Sequence, residues 1–275
     1  MAKAPMKSAV FLGAGRITSA LVAGLRLAKY ARPIVVYDRD PKKSLALRQE
    51  SRVAVAPNLK SAVEQAEILI VAVRPDSVAG LLEEVATCGA PARRRLWVSL
   101  AAGVPLRKLR SRLGPPARWV RAMPSPVCRI GHGLTALCSD RGIGQAERVR
   151  ARRLFAHVGA VLEIPELQFD AFTATYSSSH GYHALQTLAA GAARAGLDPK
   201  IALTAAAHAL SDGILYWKAS GQRLTRLLHE AATPGGIAAA TMLAMDKSGY
   251  ARVVANGLKA GIDQARRNAR RFSPR

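Results

Sequence analysis

"AVFLGAGRITSALVAGL", residues 9–25, carries three local signals in succession. "AVFL" is a short apolar run, Gly13-Ala14-Gly15 is a turn of very small residues, and "RITSALVAGL" has the apolar spacing of a helix. Strand, glycine turn and helix in this order are what the pyrophosphate of a dinucleotide requires. Gly13 makes the tight turn, Gly15 lets the backbone approach a phosphate, and the helix that starts with Arg16 and Ile17 offers free amides and a partial positive charge. Thr18 stands where a third glycine is usual, so helix and sheet must pack together in another way. A plain strand-turn-helix unit with no ligand is the alternative reading.

Working outward, further short apolar runs follow at 33–37 ("PIVVY"), 68–73 ("ILIVAV"), 96–100 ("LWVSL") and 118–122 ("RWVRA"), separated by helical patterns. Such alternation predicts parallel βαβ units in a doubly wound, Rossmann-like sheet. The unbroken apolar run "ILIVAV" suits a central strand covered on both faces. Asp38, after the second strand, sits where an acidic residue usually binds the adenosine ribose. It favours NADH by repelling a 2′-phosphate, whereas Arg39, Lys42 and Lys43 beside it suit that phosphate, so NADH and NADPH both remain open; a solvated basic turn is the plain alternative. From about Glu163 strand signals give way to Ala-rich helix-forming sequence. The expected division is a dinucleotide-binding domain over 1–163 and an all-helical domain over 164–275.

The chain has 275 residues, with 41 Lys and Arg against 18 Asp and Glu, a formal charge of +23. That surplus attracts anions, but the basic residues fall in scattered runs such as "LRKLRSR" (106–112) and "ARRNARR" (265–271) on expected polar helix faces. Aromatic residues are only 5%, which leaves little for base stacking, so no specific nucleic-acid partner is expected. No run is long and apolar enough for a secretory signal or a membrane span, and a cytoplasmic protein is expected. Cys88, Cys128 and Cys138 form no C-x-x-C, and neither a disulfide framework nor a metal site is visible.

Seven segments in fixed order resemble the pyrroline-5-carboxylate reductase family: "FLGAGRITSALVAGL", "AVRPDSV" (72–78), "VSLAAGVPLRKL" (98–109), "RAMPSPV" (121–127), "GHGLTAL" (131–137), "DAFTATYSSSHGY" (170–182) and "ATPGGIAAATM" (232–242). The resemblance covers nearly the whole chain and implies NAD(P)H-dependent reduction of a cyclic imine, 1-pyrroline-5-carboxylate to proline. It also implies a homodimer or higher homo-oligomer built through the C-terminal helices. Ala72, Val73, Arg74, Pro75, Ser99, Ala101, Gly103, Met123 and Pro124 become cofactor or cleft-lining positions by this carry-over. Met123 taken alone reads more readily as a core gap-filler than as a cleft residue.

The family's Ser-Pro-Gly-Gly-Thr turn, which holds the substrate carboxylate, corresponds here to Thr233-Pro234-Gly235-Gly236 followed by Ile237. The turn survives as an anion nest, but the hydroxyl expected to face the imine nitrogen is missing. Ser178, His180, Tyr182 and Thr241 are the candidates to replace it. Ser177, Ser178 and Ser179 also read as a helix N-cap cluster, and His180 and His183 as surface residues. Ser125 replaces a longer polar side chain after Met-Pro. These departures keep two rivals open: a reductase of another imine or carbonyl, and a non-catalytic dinucleotide-binding protein. A related hydroxyacid dehydrogenase fits poorly, because "HALQTLAAGAAR" (183–194) lacks the lysine such enzymes carry there.

Overall fold

The computed structural model describes residues 8–89 and 94–272. Eight strands form one sheet: β1 (Ser8–Leu12), β2 (Ile34–Tyr37), β3 (Ala54–Val55), β4 (Ala66–Val71), β5 (Leu96–Ser99), β6 (Arg118–Met123), β7 (Gly133–Ser139) and β8 (Gly159–Glu163). Their order is β3-β2-β1-β4-β5-β6-β7-β8. The first six run parallel, as expected from the alternation of strand and helix signals, while β7 pairs antiparallel with β6, Val120 opposite Ser139 and Met123 opposite Ala136.

Strand side chains alternate between faces, so each central strand feeds two cores. Val10 and Leu12 of β1 with Leu69 and Val71 of β4 pack on one face, against helices α3 (Leu59–Glu64), α4 (Val78–Thr87) and α5 (Leu106–Arg112). Ala9, Phe11, Ile68 and Ile70 pack on the other, against α1 (Arg16–Leu27) and α6 (Gln145–Ala156). Burial on both faces is why these strands read as unbroken apolar runs. Helix α2 (Pro41–Ser51) starts at Asp40, whose side chain accepts the Lys42 amide.

The chain forms two compact units, divided elsewhere than at 163. The first takes the chain through Tyr176 and again from Ala260; the second is Ser177–Lys259. The shift to Ala-rich helix follows element type, but side-chain packing decides the unit. In α7 (Phe169–Thr175), Phe169 is buried in the sheet core with Phe172 packed against it, and the Tyr176 hydroxyl accepts the Leu134 amide at 2.7 Å. Residues from Ala260 onward return to the first unit through Ala265 and Phe272, both buried.

The second unit holds α8 (Ser178–Arg194), α9 (Pro199–Ser220), α10 (Leu224–Ala231), α11 (Ile237–Lys247) and the first part of α12 (Tyr250–Arg271). Helices α8 and α9 pack together, and Asp198 caps α9 by accepting the amides of Lys200 and Ile201. Within 177–259 only Ala202 and Ala206 are buried, while Leu215, Tyr216, Trp217 and Val253 stand exposed. Among the described residues no helix is long and apolar enough to cross a membrane.

Candidate active site

The carboxyl ends of β1, β2 and β4 open onto a cleft of about 450 Å³ lined by Gly13, Gly15, Arg16, Asp38, Arg39 and Arg74, together with Ala72 and Val73. Its floor is the glycine turn. Gly13 has φ +114°, and a Cβ there would fall 2.7 Å from the Ala72 carbonyl oxygen, so only glycine passes that close to the end of β4. The Gly13 amide donates to the Tyr37 carbonyl at 2.7 Å, which ties the turn to β2. Thr18, in place of a third glycine, is buried and donates its hydroxyl to the Gly13 carbonyl at 2.7 Å. The altered fingerprint therefore clamps the turn from inside the helix.

Gly15 caps α1 without a side-chain partner, and a Cβ built on it would meet nothing within 4 Å. Gly15 and Arg16 both line the cleft, so the start of α1 opens onto it, which suits a phosphate. Arg16 is exposed at the first helical position and Ile17 half-buried against the core. Asp38 accepts the Ala14 amide on Oδ2 at 2.7 Å and the Asp40 amide on Oδ1 at 2.9 Å. Arg39 pairs with Glu84 at 2.6 Å, and Lys43 lies 3.7 Å from Asp40 Oδ2. Glycine turn, open helix start and anchored acidic residue fit a dinucleotide.

The other carried-over positions lie off the cleft lining. Pro75 opens a 3-10 turn after Arg74. Ala101 is buried in the core, its amide donating to the buried Ser99 hydroxyl at 3.3 Å. Gly103 (φ +78°) lies against α12, where a Cβ would come 2.3 Å from the Ala265 carbonyl oxygen, so packing accounts for this glycine. Met123 is half-buried against the core, Pro124 is buried, and Ser125 accepts the Val127 amide as the cap of the following turn.

Sequence reading passed over Arg121, although an arginine between Val120 and Ala122 inside a strand is a signal. It is 2% exposed, pairs with Glu166 and Asp170 at 3.2 Å each, and lies 4.2 Å over the Phe169 ring. Glu166 also accepts the Leu106 amide at 2.7 Å, so one ion-pair cluster joins β6, α5 and α7. A larger cavity, about 660 Å³, lies toward the amino end of β6 beside Asp140 and Glu166. It has no glycine turn, and these carboxylates are paired with Arg110 and Arg121.

In the second unit Ser177 caps α8: its hydroxyl accepts the Ser179 amide at 3.4 Å and lies 2.7 Å from the Ser179 hydroxyl. His180, Tyr182 and His183 are exposed on the first turns, and Ser178 half-buried. The Thr233-Pro234-Gly235-Gly236 turn closes with the Gly236 amide donating to the Thr233 carbonyl at 2.9 Å, with Gly235 at φ +77°. Gly236 caps α11 without a side-chain partner, and Ile237 is 89% exposed at its first position. The Thr241 hydroxyl donates to the Ile237 carbonyl at 3.0 Å, which leaves it acceptor capacity only.

A family model described as "NADP oxidoreductase coenzyme F420-dependent" matches residues 8–103, and one described as "Pyrroline-5-carboxylate reductase dimerisation" matches 166–268. The chain is 34% identical to the pyrroline-5-carboxylate reductase of Thermus thermophilus, covering 82% of this chain and 85% of that protein. It is 29% identical to the Mycobacterium tuberculosis enzyme of that name, over 93% and 94% of the two chains. The crystal structure of the Streptococcus pyogenes 1-pyrroline-5-carboxylate reductase superposes with a TM-score of 0.85 at 23% identity, over 95% of this chain and 98% of that one.

Proposed function

The chain belongs to the pyrroline-5-carboxylate reductase family, and from that premise we propose that it reduces 1-pyrroline-5-carboxylate to proline with NADH or NADPH. The identity to the Thermus protein over most of both chains carries the reading. The bound cofactor supplies a hydride from C4 of its dihydronicotinamide to the carbon of the C=N bond. The protein's own part is to bind, orient and neutralise.

The amides at the start of α1, with Gly13, Gly15 and Arg16, hold the pyrophosphate, and Asp38 takes the ribose hydroxyls. Ala72, Val73 and Arg74 continue the cleft past the end of β4, and Pro75 opens the turn that follows them. Ala101 and Met123 belong to or pack against the core, Pro124 is buried, and Gly103 serves packing against α12, so these carried-over positions act on the cofactor only at a remove from the cleft lining. The turn Thr233–Gly236 and the uncapped amides of Ile237 and its successors hold the substrate carboxylate.

A cyclic iminium already carries its proton, so the nitrogen needs an acceptor rather than an acid before hydride arrives. Thr241 fits that need, because its own proton is committed to the Ile237 carbonyl. Ser178, His180 and Tyr182 are the other groups assigned to the nitrogen. The helical unit assembles with a second copy as a homodimer, alone or within a larger homo-oligomer. Ile237, exposed where the family carries a threonine, favours one second reading, a different imine substrate.

The test follows loss of dihydronicotinamide absorbance with pyrroline-5-carboxylate, and with piperideine-6-carboxylate and pyrroline-2-carboxylate in parallel. Turnover with the first at a kcat of about 1 to 1,000 per second supports the reading. Turnover with only one of the others moves the assignment to that imine.

A further inference from the structure

We infer that the cleft selects NADH over NADPH, because the Asp38 carboxylate is fixed where the adenosine ribose arrives and the cations beside it are already held by other carboxylates. The inference rests on the cofactor reading above and deepens it. Asp38 directly follows β2, and the Ala14 and Asp40 amides anchor its two oxygens at 2.7 and 2.9 Å. These bonds hold the carboxylate at the edge of the glycine turn. A ribose with free 2′ and 3′ hydroxyls presents two donors, and each carboxylate oxygen keeps a second lone-pair direction to accept one. A 2′-phosphate brings only acceptor oxygens and a charge of about −1.5 to −2 to the same place. It meets no donor from Asp38 and a like charge besides, which is discrimination by repulsion.

Compensation would have to come from nearby cations. Arg39 donates to Glu84 Oε1 at 2.6 Å, and Lys43 is 3.7 Å from Asp40 Oδ2. Both pairs are exposed and individually weak, so neither bars a phosphate by itself. Together they lower the positive charge that would draw one in. Lys42 is exposed on the first turn of α2 and is not part of the cleft lining. Arg16 and Arg74 line the cleft next to the glycine turn and after β4, where they serve the pyrophosphate common to both nucleotides. Lys43 and Arg39 both line the cleft, so the discrimination rests on the fixed Asp38 carboxylate, with the two cations beside it each drawn toward another carboxylate.

Isothermal titration of NADH and NADPH into the full-length protein at physiological ionic strength tests this without relying on turnover. NADH is expected to bind at least about tenfold tighter. Equal affinities, or tighter NADPH, overturn the selectivity and leave the reductase reading standing; binding of neither nucleotide overturns the reading and the selectivity with it. Asp38→Ser should abolish the preference, and a preference that survives it removes Asp38 from the account. Because that change also cuts two bonds to the glycine turn, Glu84→Gln is measured beside it. Releasing Arg39 should tighten NADPH severalfold more than NADH, and an unchanged ratio overturns the part given to the Arg39 pair.

Discussion

At Gly13 the backbone turns at φ +114° against the Ala72 carbonyl, and the cofactor cleft depends on that contact. Gly13→Ala adds both strain and a clash, at a cost of about 1–3 kcal/mol. The expected result is a lower Tm and weaker nucleotide binding together, read by thermal denaturation and nucleotide titration. Arg121 is a second residue whose loss should be felt. Arg121→Met leaves Glu166 and Asp170 without their cation, but both are partly solvated, so the expected loss is about 1–3 kcal/mol by urea denaturation. The thiols give a pH-dependent case. Burial pushes Cys128 up from 9.0 to about 11, and burial also raises Cys88, which is the more exposed of the two. Cys88 should alkylate first in the native protein and Cys128 only on unfolding. The folded state keeps the Cys128 proton longer than the unfolded chain does. Its contribution to stability is therefore intact below about pH 9 and is lost as the pH rises toward about 11.

Among the elements, those with an apolar run and a turn signal were legible in the sequence. The five expected strands of the first half all form, because burial on both faces forces unbroken apolar composition. The strands β3, β7 and β8 were not foreseen. β3 is two residues long, β7 reads as a mixture of small and polar residues, and β8 is a largely exposed edge strand in which burial imposes no pattern. The glycine turn and Asp38, which the structure brings to one cleft, stood out because a strand, a glycine turn and an acidic residue recur there at a fixed spacing. The packing role of Gly103 was not, since its partner Ala265 lies far along the chain. The start of α11 is the element most exposed to a decisive test. Gly235→Ala puts a side chain at φ +77°, costing about 1–2 kcal/mol, and should raise KM for the imine about tenfold while leaving the nucleotide Kd alone. A matched change in both constants would remove the turn from substrate binding.

For the molecule as a whole, the second unit leaves most of its apolar surface uncovered in a single copy. With only two alanines buried across Ser177–Lys259 and Leu215, Tyr216, Trp217 and Val253 exposed, its apolar surface needs a partner. Light scattering should give a dimer or a larger assembly, and Leu215→Glu should shift it toward monomer and lower Tm. The Ala-rich composition signalled helices, but the sequence left open which surfaces stay uncovered, since Ala and Leu read alike in a core and in an interface. One consequence of the returning α12 belongs to synthesis rather than to the finished molecule. Gly103 waits for Ala265, the Lys108 ammonium donates to the Ala269 carbonyl at 2.6 Å, and Phe272 is buried against residues more than a hundred positions earlier. A ribosome still translating the helical segment therefore holds a nucleotide-binding unit that lacks its last piece. A nascent chain arrested before residue 260 should be open to protease, and release of the final stretch should close it.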